Sequence, residues 1–394
     1  MVTVILTPGV TPIANHWAIL GSIQPYARTR LVVLQTWQFW FGSAVSVGLL
    51  LILFYQVDLG ELKDSLKEAN YLLLAPSIAV YFVAVFFRAF RWQYLLAPIV
   101  AVPIFRLYPV VIIGYMANNL LPMRLGELVR SYYLARRENL NTSSALATIA
   151  VERVYDGITL LAFAALSAPW LLLLGVFDGA GDVSRTPGII FLVAAIGAFT
   201  IMLTVFTLLG SSPAFANRME GWLNIVPSST RPKVKAIFRT FVSGLSVLNS
   251  PSKHMALFVY SLPVWLIEGS MYFMLAYSFG IDDYFDSVGV LILMVLLLTA
   301  TSNLATAIPS AIGGIGPFEI VAQQTLMALG VGASVAGAYS GFVHLVALWL
   351  PVNLVGLALL WKSNLSLRDL STASQANSRD TIPRNHLKPA GDND

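Results

Sequence analysis

Seven stretches of this chain, at about 37–57, 71–90, 145–176, 188–210, 255–279, 288–309 and 334–361, are almost wholly apolar. Runs of roughly 20 apolar residues are long enough, as helices, to cross a hydrocarbon core of about 30 Å. That core has no water, so every backbone N–H and C=O must find its partner inside the segment, which a helix achieves by itself. The pattern predicts an all-α, polytopic integral membrane bundle. A membrane β-barrel reads instead as segments of about 10 residues with alternating hydrophobicity, and these runs are continuous. Composition agrees: 57% hydrophobic and 11% charged residues, with a mean hydropathy of +0.74, lie outside the range of soluble domains.

Two further apolar segments, 107–121 and 318–330, are too short to cross alone. Pro109 and Pro122 bracket the first, and a glycine run precedes the second. Both predict broken or re-entrant elements, tolerated where protein or a wet cavity covers the freed backbone groups. About seven to nine membrane segments are therefore expected. The reading divides the chain into an N-terminal tail (1–36), a membrane domain (37–361) and a polar tail of disordered composition (362–394). No Lys or Arg precedes Arg28, and Pro8 and Pro12 interrupt the apolar residues, so the N-terminus does not read as a signal peptide.

Loop charge orients the chain. The segment 211–254 carries Arg218, Arg231, Lys233, Lys235, Arg239 and Lys253 against one acid, Glu220. The segment 280–287 carries Asp282, Asp283 and Asp286 with no base. The positive-inside rule places the first in the cytoplasm and the second outside, with a cytoplasmic N-terminus and a multi-pass location in the cytoplasmic membrane. Arg88 and Arg91, beside Phe87, Phe90 and Trp92, then fall at the cytoplasmic end of the second span. They read as an interfacial aromatic belt, with lipid phosphate as the alternative contact.

Against this apolar background the polar clusters stand out. An ionised side chain at bilayer depth costs about 2.5–3.5 kcal/mol on insertion scales. The stretch Asn118 to Arg130 nevertheless holds Asn118, Asn119, Pro122, Arg124, Gly126, Glu127 and Arg130. Arg124, Glu127 and Arg130 are spaced i, i+3, i+6, one stripe on a helix. Arginine is the residue suited to a phosphate headgroup, and a cytoplasmic interfacial helix continuing into Arg136 and Arg137 is the alternative. Glu152, Arg153 and Asp156 lie just inside the next span, as salt-bridge partners for one another or for the arginine stripe. Later, Pro309 is followed by Gly313, Gly314 and Glu319, where a tight turn exposes backbone amides to an anion. Glu268 lies mid-span and is a candidate proton or cation site. His344, also mid-span, reads as a hydrogen-bonded packing residue. A short apolar stretch, a proline, glycines and a glutamate thus recur in both halves, and such paired interruptions point to a site between two structural repeats. Chance placement of Pro and Gly is the alternative.

Several classes drop out. With no cysteine there is no disulfide, thiolate metal site or cysteine nucleophile. No phosphate-binding loop, zinc motif, dinucleotide fingerprint or nucleophile elbow occurs. The reading is therefore no enzyme, no metal site, no cofactor, and no nucleic-acid partner for a net charge of only +4.

In order and spacing these blocks resemble the flippase-like membrane domain of lysylphosphatidylglycerol synthases, which also occurs as stand-alone proteins. The matching residues are Phe87 to Trp92, Gly114 to Asn118, Pro122, Arg124, Gly126, Glu127 and Arg130. Ala147 to Arg153 with Asp156 follow, and then Ile308-Pro309, Gly313, Gly314, Gly316 and Phe318-Glu319. The resemblance implies a helical domain associated with lipid translocation, without the soluble aminoacyl-transferase domain. The function expected is movement of a phospho- or glycolipid between leaflets, with membrane lipids (an anionic phospholipid or a polyprenyl-phosphate lipid) as partners. A homo-oligomer and a lipid-modifying enzyme partner stay open. An ion- or proton-coupled small-solute transporter using Glu268 is one alternative. A non-transporting accessory subunit of a lipid- or glycan-modifying enzyme is the other. On this reading Arg124→Ala and Glu127→Ala abolish activity, whereas Arg136→Ala does not.

Overall fold

The computed structural model describes residues 37–121, 125–176, 208–246, 251–307 and 313–362, with scattered positions between 197 and 205. Arg124, Pro122, Pro309, most of the expected span 188–210 and both tails lie outside the described residues. Among the described residues the regular structure is entirely helical. Five helices are long and apolar enough to cross a membrane: Tyr71–Leu96, Thr142–Leu173, Ser252–Ser278, Val288–Ala305 and Ala333–Lys362. They coincide with five of the expected spans.

The first expected span is helix α1 (Trp37–Tyr55). It bends by 88° into α2 (Leu59–Glu68), so the pair is a broken span or a re-entrant element. The sequence reading had a single uninterrupted span there. Asp58 makes the corner: its carboxylate accepts hydrogen bonds from the amides of Gly60 and Glu61 at 2.7 and 3.1 Å, capping α2.

Helix α3 (Leu74–Leu96) packs along α9 (Pro251–Ser278), the most extensive helix pair among the described residues. Helix α4 (Ile104–Leu120) is 17 residues long, about 26 Å at 1.5 Å per residue, short of a full crossing. It stops where the residue before Pro122, Leu121, turns to an extended conformation with φ −101° and ψ 139°. Proline disfavours the helical region for its predecessor, so the sequence dictates the break. Helix α5 (Gly126–Glu138) folds back onto α4 and ends at Asn139, which is left-handed with φ 54°. Helix α6 (Thr142–Leu173), capped by Asn141, runs against both α5 and α10 (Val288–Ala305).

Two short helices, α7 (Pro213–Trp222) and α8 (Arg231–Ser246), lie in the basic segment before α9. The second expected interruption appears as the turn 313–316, with φ of +59° at Gly313, +82° at Gly314 and +98° at Gly316. Only glycine adopts such angles freely. The turn feeds α11 (Pro317–Ala328), a helix of 12 residues, too short to cross. Helix α12 (Ala333–Lys362) closes the bundle, with a π-helical stretch at Phe342–Trp349 in its middle.

Close approach of α12 to α4 rests on small residues. A Cβ on Gly356 would stand 2.6 Å from the Met116 Cβ. Likewise a Cβ on Gly126 would stand 2.1 Å from the Gly114 carbonyl, so α5 presses backbone to backbone on α4. In lipid, where apolar burial gives no drive to associate, this close packing is what holds helices together.

Candidate functional site

Both interruptions open onto one cavity of about 830 Å³. Asn118, Asn119 and Leu121 come from the end of α4, and Gly313 and Gly314 from the turn before α11. One wall is charged: Arg88 on α3, Glu127 on α5, Arg153 and Asp156 on α6, and Glu268 on α9. The lining also includes Asn303 and Thr306 from α10 and His344 and Trp349 from the π-helical stretch. Leu160, Leu304 and Leu348 supply apolar surface.

The charged wall and the residues behind it, Arg91, Arg130 and Glu152, together make four arginines and four carboxylates in ion pairs. Arg130 donates to both oxygens of Glu152 at 3.0 and 2.9 Å, the bidentate geometry that a guanidinium favours. Its guanidinium also lies 3.7 Å above the ring of Trp92, whose indole N–H donates to Thr148 at 2.9 Å. Arg91 reaches Asp156 at 2.7 Å and Glu152 at 3.4 Å, and donates to Ser261 at 2.8 Å. Trp265 donates to Asp156 at 3.0 Å. Arg88 pairs with Glu268 at 2.5 Å and donates to Tyr115 at 3.0 Å. Arg153 completes the set, facing Glu127 and Asp156 at 3.3 Å and Glu152 at 3.5 Å.

Exposure separates this network into two layers. Arg91 and Glu152 are 0% exposed and Arg130 is 3% exposed. With Asp156, also buried and paired to Arg91, their charges balance, and removing one partner would strand another in a dry interior. The Arg153 and Glu127 side chains are 31% and 27% exposed and line the cavity. They form the most exposed ion pair of the network.

Several sequence expectations land differently. Arg88 and Arg91 form no interfacial belt: both are buried and ion-paired inside the bundle, because α9 and α6 bring Glu268, Ser261, Glu152 and Asp156 against them. Arg130 does not line the cavity, since Glu152 occupies its guanidinium. Glu268 is held by Arg88 rather than standing alone. Glu319 does not line the cavity but is buried beside it, accepting from the Gly316 amide at 2.7 Å and meeting the cavity-lining His344 at 2.7 Å. His344 is buried, as a packing residue would be, but it also borders the cavity. Asn118 accepts from the Gly126 amide at 2.8 Å, bridging the break it precedes. Tyr115, Trp265 and Trp349 were missed, because aromatic residues in apolar helices carry no signal that separates a cavity wall from a core. Among the described residues no group of His, Asp and Glu is arranged to hold a metal ion.

The family described as the lysylphosphatidylglycerol synthase TM region matches residues 39–355. A UPF0104 membrane protein of Methanothermobacter thermautotrophicus is 24% identical over 76% of this chain and 88% of its own length. A UPF0104 membrane protein of Pyrococcus horikoshii is 24% identical over 80% of this chain and 95% of its own. Glycosyltransferase AglD of Haloferax volcanii is 25% identical over 82% of this chain but only 53% of its own length. No solved structure matches the chain significantly.

Proposed function

This chain belongs to the lysylphosphatidylglycerol synthase transmembrane-region family, and from that premise we propose that it moves a polar-headed phospho- or glycolipid between membrane leaflets. One observation carries the reading: a cavity of about 830 Å³, walled by paired charges, lies where two helix interruptions meet inside a membrane bundle. A lipid headgroup needs such a polar space at membrane depth while its acyl chains remain in the surrounding hydrocarbon. Arg153 and Glu127 release one another and engage the headgroup. The buried Arg130–Glu152–Arg91–Asp156 cluster keeps α3, α5 and α6 in register meanwhile. Movement of one half of the bundle against the other exposes the cavity to each leaflet in turn. In this reading the protein is a multi-pass component of the cytoplasmic membrane with a cytoplasmic N-terminus, and Arg124, three residues before Glu127 in the sequence, is a further cation for the headgroup.

The test is leaflet accessibility of fluorescent lipids in proteoliposomes, with wild type beside a folded Glu127→Ala/Arg153→Ala variant. Translocation by wild type and its loss in the variant support the proposal. If no phospholipid or polyprenyl-phosphate lipid moves, the proposal fails. One observation favours a second reading: a relative bears the name of a glycosyltransferase and extends well beyond the matched part. Stable co-purification with a lipid- or glycan-modifying enzyme, with no translocation alone, would make this chain that enzyme's accessory subunit.

A further inference from the structure

Glu319 differs from the acids of the charged wall. Glu127, Glu152, Asp156 and Glu268 each face at least one arginine within 4 Å. Glu319 is 2% exposed, and among the described residues no arginine or lysine approaches it as closely. One of its oxygens accepts from the Gly316 amide at 2.7 Å, and the other meets His344 Nδ1 at 2.7 Å. An ionised carboxylate beside a neutral imidazole would leave one uncompensated charge in a dry interior, which is strongly disfavoured. One added proton, on either partner, removes it.

We propose that Glu319 and His344 form a proton-binding site that opens to the cavity and couples proton movement to headgroup transport, the coupling resting on the lipid-translocation reading above. Nδ1 is turned to Glu319, which leaves Nε2 of His344 for the cavity that this residue lines. A proton enters from cavity water onto the dyad and leaves the same way after the bundle has reoriented. No covalent bond to substrate forms or breaks.

The surroundings suit that role. Phe318 stacks on the imidazole at 4.3 Å and keeps one face dry. From α9, Tyr272 approaches Phe318 at 6.4 Å. The Arg88–Glu268 pair of α3 and α9 borders the same cavity as His344. Helix α10 contributes the uncharged Asn303 and Thr306 to that cavity. Helix α1 contributes Ser46, which donates to the Ile315 carbonyl at 2.8 Å. On α12 itself, Tyr339 donates to the Tyr272 carbonyl at 2.8 Å. His344 also sits in the π-helical stretch, a local widening that α-helices use chiefly at functional positions. The plain alternative is structural: Glu319 merely caps α11, and His344 merely satisfies it.

The chain has four histidines, so 15N-histidine labelling of the full protein in nanodiscs yields a small spectrum, and His344→Gln assigns its signal. Glutamine retains a hydrogen-bond donor for Glu319 and cannot take a proton. The proposal expects the His344 signal to change with pH between about pH 5 and about pH 9, whether the proton settles on the imidazole or on the carboxylate hydrogen-bonded to it, and Glu319→Gln to displace that transition. A signal unchanged across this range, or indifferent to Glu319→Gln, overturns the proton site. In proteoliposomes, wild-type translocation of fluorescent phosphatidylglycerol should vary with pH, approaching about tenfold per unit where one group titrates. His344→Gln should remove that dependence and His254→Gln should keep it. An unaltered dependence in His344→Gln overturns the coupling. Absence of translocation by wild type overturns the lipid reading instead, and the labelling experiment then decides the proton site alone.

Discussion

Gly313 and Asn119 are in contact: a Cβ on Gly313 would lie 3.4 Å from the Asn119 Cα. Residues almost two hundred positions apart thus join the two helix interruptions at the rim of one cavity. The same Cβ would lie 2.9 Å from Nε1 of Trp349. The backbone there is left-handed, with φ +59°.

Gly313→Ala should therefore destabilise the protein. The left-handed conformation alone costs a residue with a Cβ about 1–2 kcal/mol, and the crowding adds to it. Gly341→Ala is the control, because a Cβ there meets nothing within 4 Å and the site is helical. It should be neutral or stabilising by up to about 1 kcal/mol. Thermal unfolding in detergent distinguishes the two, and equal midpoints would contradict the contact.

Arg130→Gln and Glu152→Gln should each be severe, about 3–5 kcal/mol, since each strands a buried charge. The double variant should be less destabilised than the sum of the singles, by more than about 1 kcal/mol for residues in direct contact. A double-mutant cycle on unfolding free energies measures this. Strict additivity would mean that the bidentate pair does not exist.

Glu127→Gln should behave in the opposite way. Its pair with Arg153 is partly exposed, so the stability change should stay within about 1 kcal/mol. Lipid translocation should nevertheless fall sharply. Arg136→Ala, at an exposed position on α5, should change neither. Parallel losses of stability and transport in Glu127→Gln would relegate this pair to a structural role.

The α7–α8 contact should loosen only in acid. Arg239 donates to both oxygens of Glu220 at 2.9 and 2.7 Å, and these hydrogen bonds hold the Glu220 carboxyl below its ordinary value of 4.5. A depressed carboxylate contributes stability that is present above its unfolded value and is lost as pH falls through the folded one. The extent of local opening in 213–246, taken from hydrogen exchange after division by the pH-dependent intrinsic rate, should stay flat from neutral pH down to the ordinary glutamate range and rise below it. Glu220→Gln should abolish that rise.

The local devices were legible because they act between near neighbours. Pro122 ends α4 at Leu121, and the glycines before Pro317 make the turn. Arg88 and Arg91 were misread for the opposite reason. Their partners lie far along the chain: Glu268 is 180 residues from Arg88, and Ser261 is 170 from Arg91. Beside Phe87, Phe90 and Trp92, both arginines have an interfacial composition, and only the packing of α9 on α3 shows that they face inward.

The sequence by itself determined that this chain is a helical membrane bundle, that its helices break after α4 and before α11, and which polar residues stand at those two breaks. Those features follow from backbone hydrogen bonding in a medium without water and from the restricted angles of proline and glycine. The tertiary structure alone decided which charges neutralise one another, that Arg153 and Glu127 face the cavity while Arg130 and Glu152 lie behind it, and that Glu319 meets a histidine instead of an arginine. Charge pairing depends on distances of a few ångströms between helices remote in sequence, and those distances exist only once the helices have packed.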